Sequence, residues 1–156
     1  MGHQKSPEDR WNHTLVHLLG TAATRTLMLG EAALEDTPLT LAGMGVLKDV
    51  KRQPGITVAE ISRIAPKTQQ AISQIASRLE KLGYIERRLI PGERGIGLYL
   101  TDAGSVALNA ALEDALGFDA SLAAAVGPRR YQRLVALLEE ADSVIRELQP
   151  ERRDDA

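Results

Sequence analysis

The chain contains no cysteine, few aromatic residues and no long apolar run. The absence of cysteine from its 156 residues excludes disulfides, thiolate metal ligands and a cysteine redox switch. The aromatic residues are Trp11, Tyr84, Tyr99, Phe118 and Tyr131. The core must therefore consist of Leu, Ile, Val and Ala, which suits packed helices better than a β-sandwich. Polar residues interrupt every apolar stretch, so no segment is expected to cross a bilayer.

The N-terminal region has no apolar signal-peptide core, which predicts a cytoplasmic protein. The length fits one domain of ordinary size or one protomer of a dimer. Hydrophobic residues make up 44% of the chain and charged residues 26%, which is ordinary for a folded domain and argues against disorder. We expect flexible tails only at residues 1–10 and 150–156.

The charges are unevenly distributed along the chain. Residues 48–94 carry ten Lys or Arg and five Asp or Glu, a local balance of +5, whereas the remaining residues have a balance of −7. A basic middle between acidic flanks suggests that one surface meets a polyanion. Chance clustering of charges on a solvated surface would give the same count, so this balance alone does not decide between the two.

Helical periodicity dominates the N-terminal half. Apolar residues at helical spacing from Trp11 to Leu34 predict one long helix, which Asp36-Thr37-Pro38 ends. Thr40 is a suitable cap for a second helix that reaches about Arg52.

The next segment predicts a helix-turn-helix. Thr57 and Glu60 have the spacing of a capping box, in which each side chain bonds to the other residue's backbone, and they start a short helix to Ile64. After a tight turn, Thr68 caps another helix that Gly83 closes. Two helices joined in this way form the motif that places its second helix in the major groove of DNA.

After Gly83 the spacing of apolar residues changes from the helical period to the two-residue period of a strand. Residues 84–88 and 96–100 predict two strands, and residues 91–95 predict the tip of the hairpin that joins them. Two long helices follow, at residues 101–123 and 128–148. The predicted fold class is mainly α with a small β-hairpin wing, that is, a winged helix-turn-helix flanked by long helices.

The helix after Thr68 has two chemically different sides at 100° per residue. The apolar side, predicted to be buried, comprises Ile72, Ile75, Ala76, Leu79 and Leu82. The opposite side comprises Gln70, Ser73, Gln74, Ser77 and Lys81. Uncharged hydrogen-bonding side chains dominate this polar side, whereas an ordinary solvated helix face carries Glu and Lys. A polar surface helix without a ligand is the alternative interpretation.

The polar side has the chemistry of base recognition. Glutamine can pair bidentately with adenine, and serine can donate or accept at several bases. Lys67 and the free amides near Thr68 suit a phosphate. Arg94, at the hairpin tip, suits the minor groove or a phosphate. The predicted DNA-binding residues are Lys67, Thr68, Gln69, Gln70, Ser73, Gln74, Arg78 and Arg94.

Arg87 and Arg88 are neighbours on the first predicted strand. Successive side chains of a strand point to opposite faces, so only one of the two can face DNA. We expect the other to pair with a carboxylate.

Three segments resemble the MarR family of bacterial regulators. They are residues 54–61 (PGITVAEI), 79–88 (LEKLGYIERR) and 100–104 (LTDAG), within a resemblance that covers residues 40–104. Other winged-helix families share the spacing of the middle segment, and the long flanking helices favour MarR. The family usually has an aspartate two residues before the wing arginine. Here Arg94 matches the arginine, but Gly92 stands at the aspartate position, so either Glu93 braces the wing or the wing is more mobile.

The resemblance implies a homodimer. Its DNA-binding lobe would span residues 40–101, and residues 11–36 and 102–149 would form a helical dimerisation region. An apolar stripe independently points to a dimer, because one small protomer is not expected to bury it fully; it comprises Val135, Leu138, Val144, Ile145 and Leu148. The family also implies an effector, often a small aromatic or phenolic acid, that shifts the spacing of the two recognition helices.

Other site chemistries have weaker signals. His13 and His17 lie four residues apart on one helix, but spacing indicates no third ligand, so a surface or dimer contact is favoured over a metal site. No nucleophile elbow or phosphate loop occurs. We therefore expect no enzyme, no metal and no cofactor.

The sequence favours a DNA-binding transcriptional regulator, a repressor that binds a pseudo-palindromic operator as a homodimer. The alternative is a winged-helix module that binds proteins without sequence-specific DNA binding.

Overall fold

Helices and one two-stranded hairpin make up the residues that the computed structural model describes, which are 6–65, 67–92 and 95–148. The elements are α1 (Pro7–Trp11), α2 (Leu15–Ala32), α3 (Leu41–Arg52), α4 (Val58–Ile64), α5 (Gln69–Lys81), β1 (Ile85–Leu89), β2 (Ile96–Leu100), α6 (Asp102–Val126) and α7 (Pro128–Leu148). This order confirms the predicted fold class. None of the helices in these residues is long and apolar enough to span a membrane.

The N-terminal region differs from the prediction. Residues 7–10, expected to lie in a flexible tail, form α1 together with Trp11, because Ser6 and Asp9 make a capping box. The long helix predicted from Trp11 begins instead at Leu15. Thr14 separates the two helices, since its hydroxyl accepts from the His17 amide at 3.3 Å and caps α2.

Threonine caps set the starts of the later helices where the sequence predicts them. The hydroxyl of Thr40 accepts from the Gly43 amide at 3.0 Å, and that of Thr68 accepts from the Ala71 amide at 3.2 Å. Thr101 caps α6 in the same way, accepting from an amide at 2.9 Å, and also donates to the Gly83 carbonyl at 2.6 Å. The second bond ties the start of α6 to the end of α5.

One aliphatic core joins α3, α4, α5, the hairpin and the first half of α6. Its buried side chains are all Leu, Ile, Val or Ala, as the scarcity of aromatics predicts. The fully or almost fully buried members include Leu47, Val50, Ile56, Ile61, Ile72, Ala76, Leu79, Ile85, Leu98 and Leu108. Because the core draws on every element of the winged helix, it fixes α5 relative to the hairpin.

The hairpin packs closely against the start of the α4 segment. β1 and β2 pair antiparallel, and Leu98 also exchanges backbone hydrogen bonds with Gly55 (2.8 Å) and Ile56 (3.0 Å). A Cβ at Gly97 would lie 2.5 Å from the Gly55 carbonyl oxygen, so only glycine fits there.

Two residues of the predicted buried side are not buried: Ile75 is half-buried against the core, and Leu82 is exposed. Leu82 was placed on the buried side of the recognition helix, but it is 37% exposed. α5 ends at Lys81, and the chain turns at Gly83, where φ is +73°. Leu82 is the C-cap of α5, where its amide still donates to the Arg78 carbonyl at 3.1 Å, and it lies at the exposed end of the helix.

The chain divides into two compact units, residues 1–116 and residues 117–156. In the second unit, the Tyr131 hydroxyl donates to the Asp119 carboxylate at 2.6 Å, and this bond raises the pKa of Tyr131. No described residue of α7 is buried. Its exposed large hydrophobic side chains are Leu134, Leu137, Leu138, Val144, Ile145 and Leu148. Of the predicted stripe, only Val135 is half-buried.

Candidate nucleic-acid interface

The helix-turn-helix consists of α4 and α5, and a capping box orders its first helix. The Thr57 hydroxyl accepts from the Glu60 amide at 3.2 Å, and the Glu60 carboxylate accepts from the Thr57 amide at 2.7 Å. This backbone bond is the largest of the effects that lower the pKa of Glu60. The capping box confirms the prediction and fixes the N-terminal end of α4.

α5 buries its apolar side and exposes amides. Ile72, Ala76 and Leu79 are buried in the core. Gln70 and Gln74, on the opposite side, are exposed and form no hydrogen bond with any residue that the structure describes. The side chain amides of this surface are therefore available to a ligand.

The polar side of α5 is the floor of a groove with a volume of about 850 Å³. Its lining combines hydrogen-bonding groups from α5 with one residue from α4 and one from β1. The lining residues are Val58, Gln69, Gln70, Ser73, Gln74, Ser77, Arg78, Lys81 and Arg87. This surface offers amide and hydroxyl groups in its middle and cations towards the C-terminal end of α5, an arrangement that suits base edges flanked by phosphates.

The structure brings most of the predicted DNA-binding residues together. Five of them line the groove: Gln69, Gln70, Ser73, Gln74 and Arg78. Lys67 and Thr68 are exposed at the N-terminal end of α5, beyond the groove lining. Arg94 lies outside the described residues, as does Glu93.

The groove cations differ in how the protein holds them. One Arg78 nitrogen donates to the Pro38 carbonyl at 3.2 Å, which anchors the side chain to the segment before α3. Lys81 is exposed and forms no ion pair with the described residues. Arg87 bonds to α5 itself, with Nε 3.0 Å from Glu80 and an Nη 3.3 Å from Ser77.

Arg87 was not among the predicted site residues, although it lines the groove. The prediction held that one of the two strand arginines faces DNA and the other pairs with a carboxylate. In the structure both pair with carboxylates, Arg87 with Glu80 and Arg88 with Glu86. Arg87 shares a face of β1 with the apolar Ile85, which separates it from Arg88, but this alternation does not say that the face meets α5.

The backbone conformation at position 92 favours glycine over the aspartate that the resemblance predicts there. Its φ is +82°, in the left-handed region that glycine adopts without strain and other residues rarely do. The turn geometry of this wing therefore requires glycine at the position where the family carries a bracing carboxylate.

The histidine pair lies apart from this groove. His13 Nδ1 is 2.7 Å from the Asp9 carbonyl oxygen, and the His17 ring packs edge-on against Trp11 with 6.1 Å between centroids. Among the described residues, no group of three His, Cys, Asp or Glu could hold a metal ion.

The sequence of this region matches a known family model. Residues 38–94 match the model of the MarR family. An uncharacterised HTH-type transcriptional regulator of Bacillus cereus is 34% identical over 93 residues, which cover 60% of this chain and 62% of the relative. The match thus spans less than two thirds of the relative's own length.

The fold matches solved structures over most of the chain. A MarR-family protein of Mycobacterium tuberculosis, solved with salicylic acid, is 25% identical with a TM-score of 0.69, and the match covers 82% of this chain and 96% of that protein. Bordetella bronchiseptica BpsR, whose DNA binding is regulated by 6-hydroxynicotinic acid, is 18% identical with a TM-score of 0.73, and the match covers 91% and 99%.

Proposed function

From its similarity to the MarR family of winged-helix transcriptional regulators, we propose that this chain is a regulator of that kind, which represses transcription by binding a pseudo-palindromic DNA operator as a homodimer. The observation that carries the proposal is the groove on α5. Its exposed glutamine amides have no protein partner among the described residues, and Arg87 of the hairpin lines the same groove.

The chemistry of the groove supports major-groove readout. The N-terminal half of a recognition helix makes most base contacts, and here it carries Gln69, Gln70, Ser73 and Gln74. Lys67 and Thr68 precede it, where a phosphate would meet exposed backbone amides and a cation. Arg78 adds a guanidinium at the same groove, and Arg94 of the wing is proposed as a minor-groove or phosphate contact.

The spacing of apolar residues on α7 supports the homodimer. Leu134, Leu138, Ala141, Ile145 and Leu148 follow a 4-3-4-3 spacing, which is typical of a seam between packed helices. The four large side chains of this α7 seam are exposed in the single chain. A second copy would cover them, and a twofold dimer would present two α5 helices to successive major grooves.

The solved relatives support an effector. The Mycobacterium tuberculosis protein holds salicylic acid, and DNA binding by BpsR is regulated by 6-hydroxynicotinic acid. Both compounds are small hydroxylated aromatic acids. We expect salicylate to weaken the complex of this chain with its operator by stabilising a dimer whose recognition helices are wrongly spaced. Cyclohexanecarboxylate, which has the acid but no aromatic ring, is the control compound.

Selection from a pool of random duplexes tests the proposal directly. The purified chain is incubated with the pool at low salt, and the retained DNA is sequenced. We expect an inverted repeat whose half-sites are centred about 10 base pairs apart, one helical turn. If the folded chain enriches no sequence, the proposal fails and the protein-interaction module becomes the better interpretation.

The salt dependence of any binding separates these two functions. Contacts to phosphates release counterions, so affinity for DNA should fall steeply as salt rises from about 50 to 200 mM. An apolar protein interface should lack this steep dependence. A complex insensitive to salt would therefore argue against DNA as the ligand.

A further inference from the structure

Arg87 links the hairpin to the recognition helix through two contacts. Its Nε donates to the Glu80 carboxylate at 3.0 Å, and an Nη donates to the Ser77 hydroxyl at 3.3 Å. Ser77 and Glu80 are three residues apart, so they lie on neighbouring positions of α5. Two donors on one rigid planar group therefore meet two points of the same helix.

The contacts lie where the two DNA-facing elements meet. Arg87 is in the middle of β1, opposite Leu98, and its side chain is 28% exposed. Arg87 and Ser77 both line the groove, whereas Glu80 does not. Arg87 thus lines the groove, while its Nε and one Nη donate to α5.

Arg87 is expected to contribute little to the stability of the fold. The strand is already held by the buried side chains of Ile85 and Leu98. Ion pairs as exposed as that of Arg87 and Glu80 contribute little to the free energy of unfolding, because water and side-chain entropy offset the attraction. Its two contacts do, however, join the groove side of α5 directly to β1, in addition to the shared core.

We propose that Arg87 is a positioning residue for operator recognition, which holds α5 at the angle where its glutamines and the wing reach DNA together. The inference rests on the proposed function. In this proposal Arg87 acts through Ser77 and Glu80, to which one Nη and its Nε donate, and not through a phosphate.

Arg88 provides a matched control. It is the next residue on the same strand and carries the same charge, but it pairs with Glu86 of its own strand and lies over the Tyr99 ring at 5.3 Å. None of its recorded contacts reaches α5. Loss of charge or of a surface ion pair would affect both arginines alike, whereas loss of the link to α5 affects only Arg87.

The experiment compares Arg87→Gln, Arg87→Lys and Arg88→Gln with the wild type on the selected operator, over a series of salt concentrations. We expect both Arg87 variants to bind roughly tenfold more weakly, because each loses the two-point contact. Arg88→Gln should stay within about twofold. The salt dependence and the melting temperature of Arg87→Gln should match those of Arg88→Gln.

Glu80→Gln adds a test of the mechanism. Because Glu80 and Arg87 act through one contact, the double variant should bind as Arg87→Gln does, without a further loss. Independent, additive losses would overturn the link between them.

Several results would overturn the proposal. Arg87→Gln could bind as tightly as the wild type, or lose no more than Arg88→Gln. Alternatively, Arg87→Gln could release about one counterion fewer on binding DNA than the wild type does, while Arg87→Lys restores the affinity. That pair of results would indicate that Arg87 contacts a phosphate. If the wild type enriches no duplex at all, the proposed function fails and this inference with it. If only the variant comparison fails, the proposed function stands.

Discussion

α5 and α7 are both amphipathic helices, but the apolar side of α5 is buried in the core and that of α7 is exposed. In α5, Ile72, Ala76 and Leu79 are buried in the core, and the polar side faces outward. In α7, no described residue is buried, and the α7 seam stays exposed. α5 therefore presents polar chemistry to another molecule, whereas α7 presents an apolar surface. The proposed function assigns these two surfaces to partners of different kinds, a nucleic acid and a second copy of the chain.

The largest effect should follow from a charge in the α7 seam. Leu138→Glu places a carboxylate where the second copy would pack, so we expect a monomer. Operator affinity should fall on the order of a hundredfold or more, because the two half-sites are no longer bound by one linked pair of lobes. Sedimentation and binding measurements check both effects. Gln132→Glu puts the same charge on the opposite side of α7 and should change neither.

A dimeric Leu138→Glu variant with unaltered operator affinity would contradict the role assigned to the α7 seam. The lobe itself should remain folded in this variant, since its core contains no residue of α7. Circular dichroism of the monomer would show whether it does.

Much of α5 could be predicted from the sequence, because its signals are local. Thr68 and Gly83 set its two ends, and the helical wheel separates its amides from its core residues. The wheel failed at Leu82, where the helix ends and the chain turns, and Ile75 is only half-buried. The break at Thr14 was missed, since its capping bond replaces a helical pattern that apolar spacing alone would continue.

The contacts of Arg87 could not be predicted in this way. Alternation on β1 separates Arg87 from Arg88, but it does not say which face of the hairpin meets α5. That depends on the antiparallel register, Arg87 opposite Leu98, and on the packing of both elements over one core. Sequence therefore indicated the polar surface of the site but not the residue that links its two elements.

The second prediction contrasts a buried leucine with an exposed one. Leu47→Ala removes a fully buried side chain of α3, so unfolding should cost about 2–5 kcal/mol less at every protein concentration. Leu138→Ala makes the same change in the α7 seam, and its effect should depend on protein concentration because it acts on the dimer. Denaturant titrations at two protein concentrations distinguish them. Equal, concentration-independent losses would remove the contrast between the two regions.

The third prediction concerns the polar side of α5. Gln74→Ala removes an amide proposed to read a base, so specific operator binding should weaken by about 1–3 kcal/mol while the fold is spared. Binding to unrelated duplexes should change little, since phosphates dominate it. Gln132→Ala, on the side of α7 opposite the seam, is the matched control. Unchanged operator affinity in a folded Gln74→Ala variant would defeat the assignment of this base contact.

The smallest effect is expected at the start of α4, where the Thr57 amide lowers the pKa of Glu60 below its ordinary value of 4.5. A carboxyl whose pKa is lower in the folded state binds fewer protons there than in the unfolded state. It therefore stabilises the fold above the unfolded pKa, and this contribution is lost as the pH falls through the folded value. Glu60 is only partly covered by protein, so the effect should be small.

Glu60→Gln isolates this contribution. Thermal melts of the variant and the wild type between about pH 7 and pH 3 should converge as the pH falls, because the wild-type carboxylate becomes protonated and loses its advantage. Glu139→Gln, an exposed position on α7, is the control for removing one negative charge. A stability difference between Glu60→Gln and the wild type that stays constant down to pH 3 would mean that the capping box acts through shape and neutral hydrogen bonds. In that case charge at the N-terminus of α4 would not help to order the helix on which α5 rests.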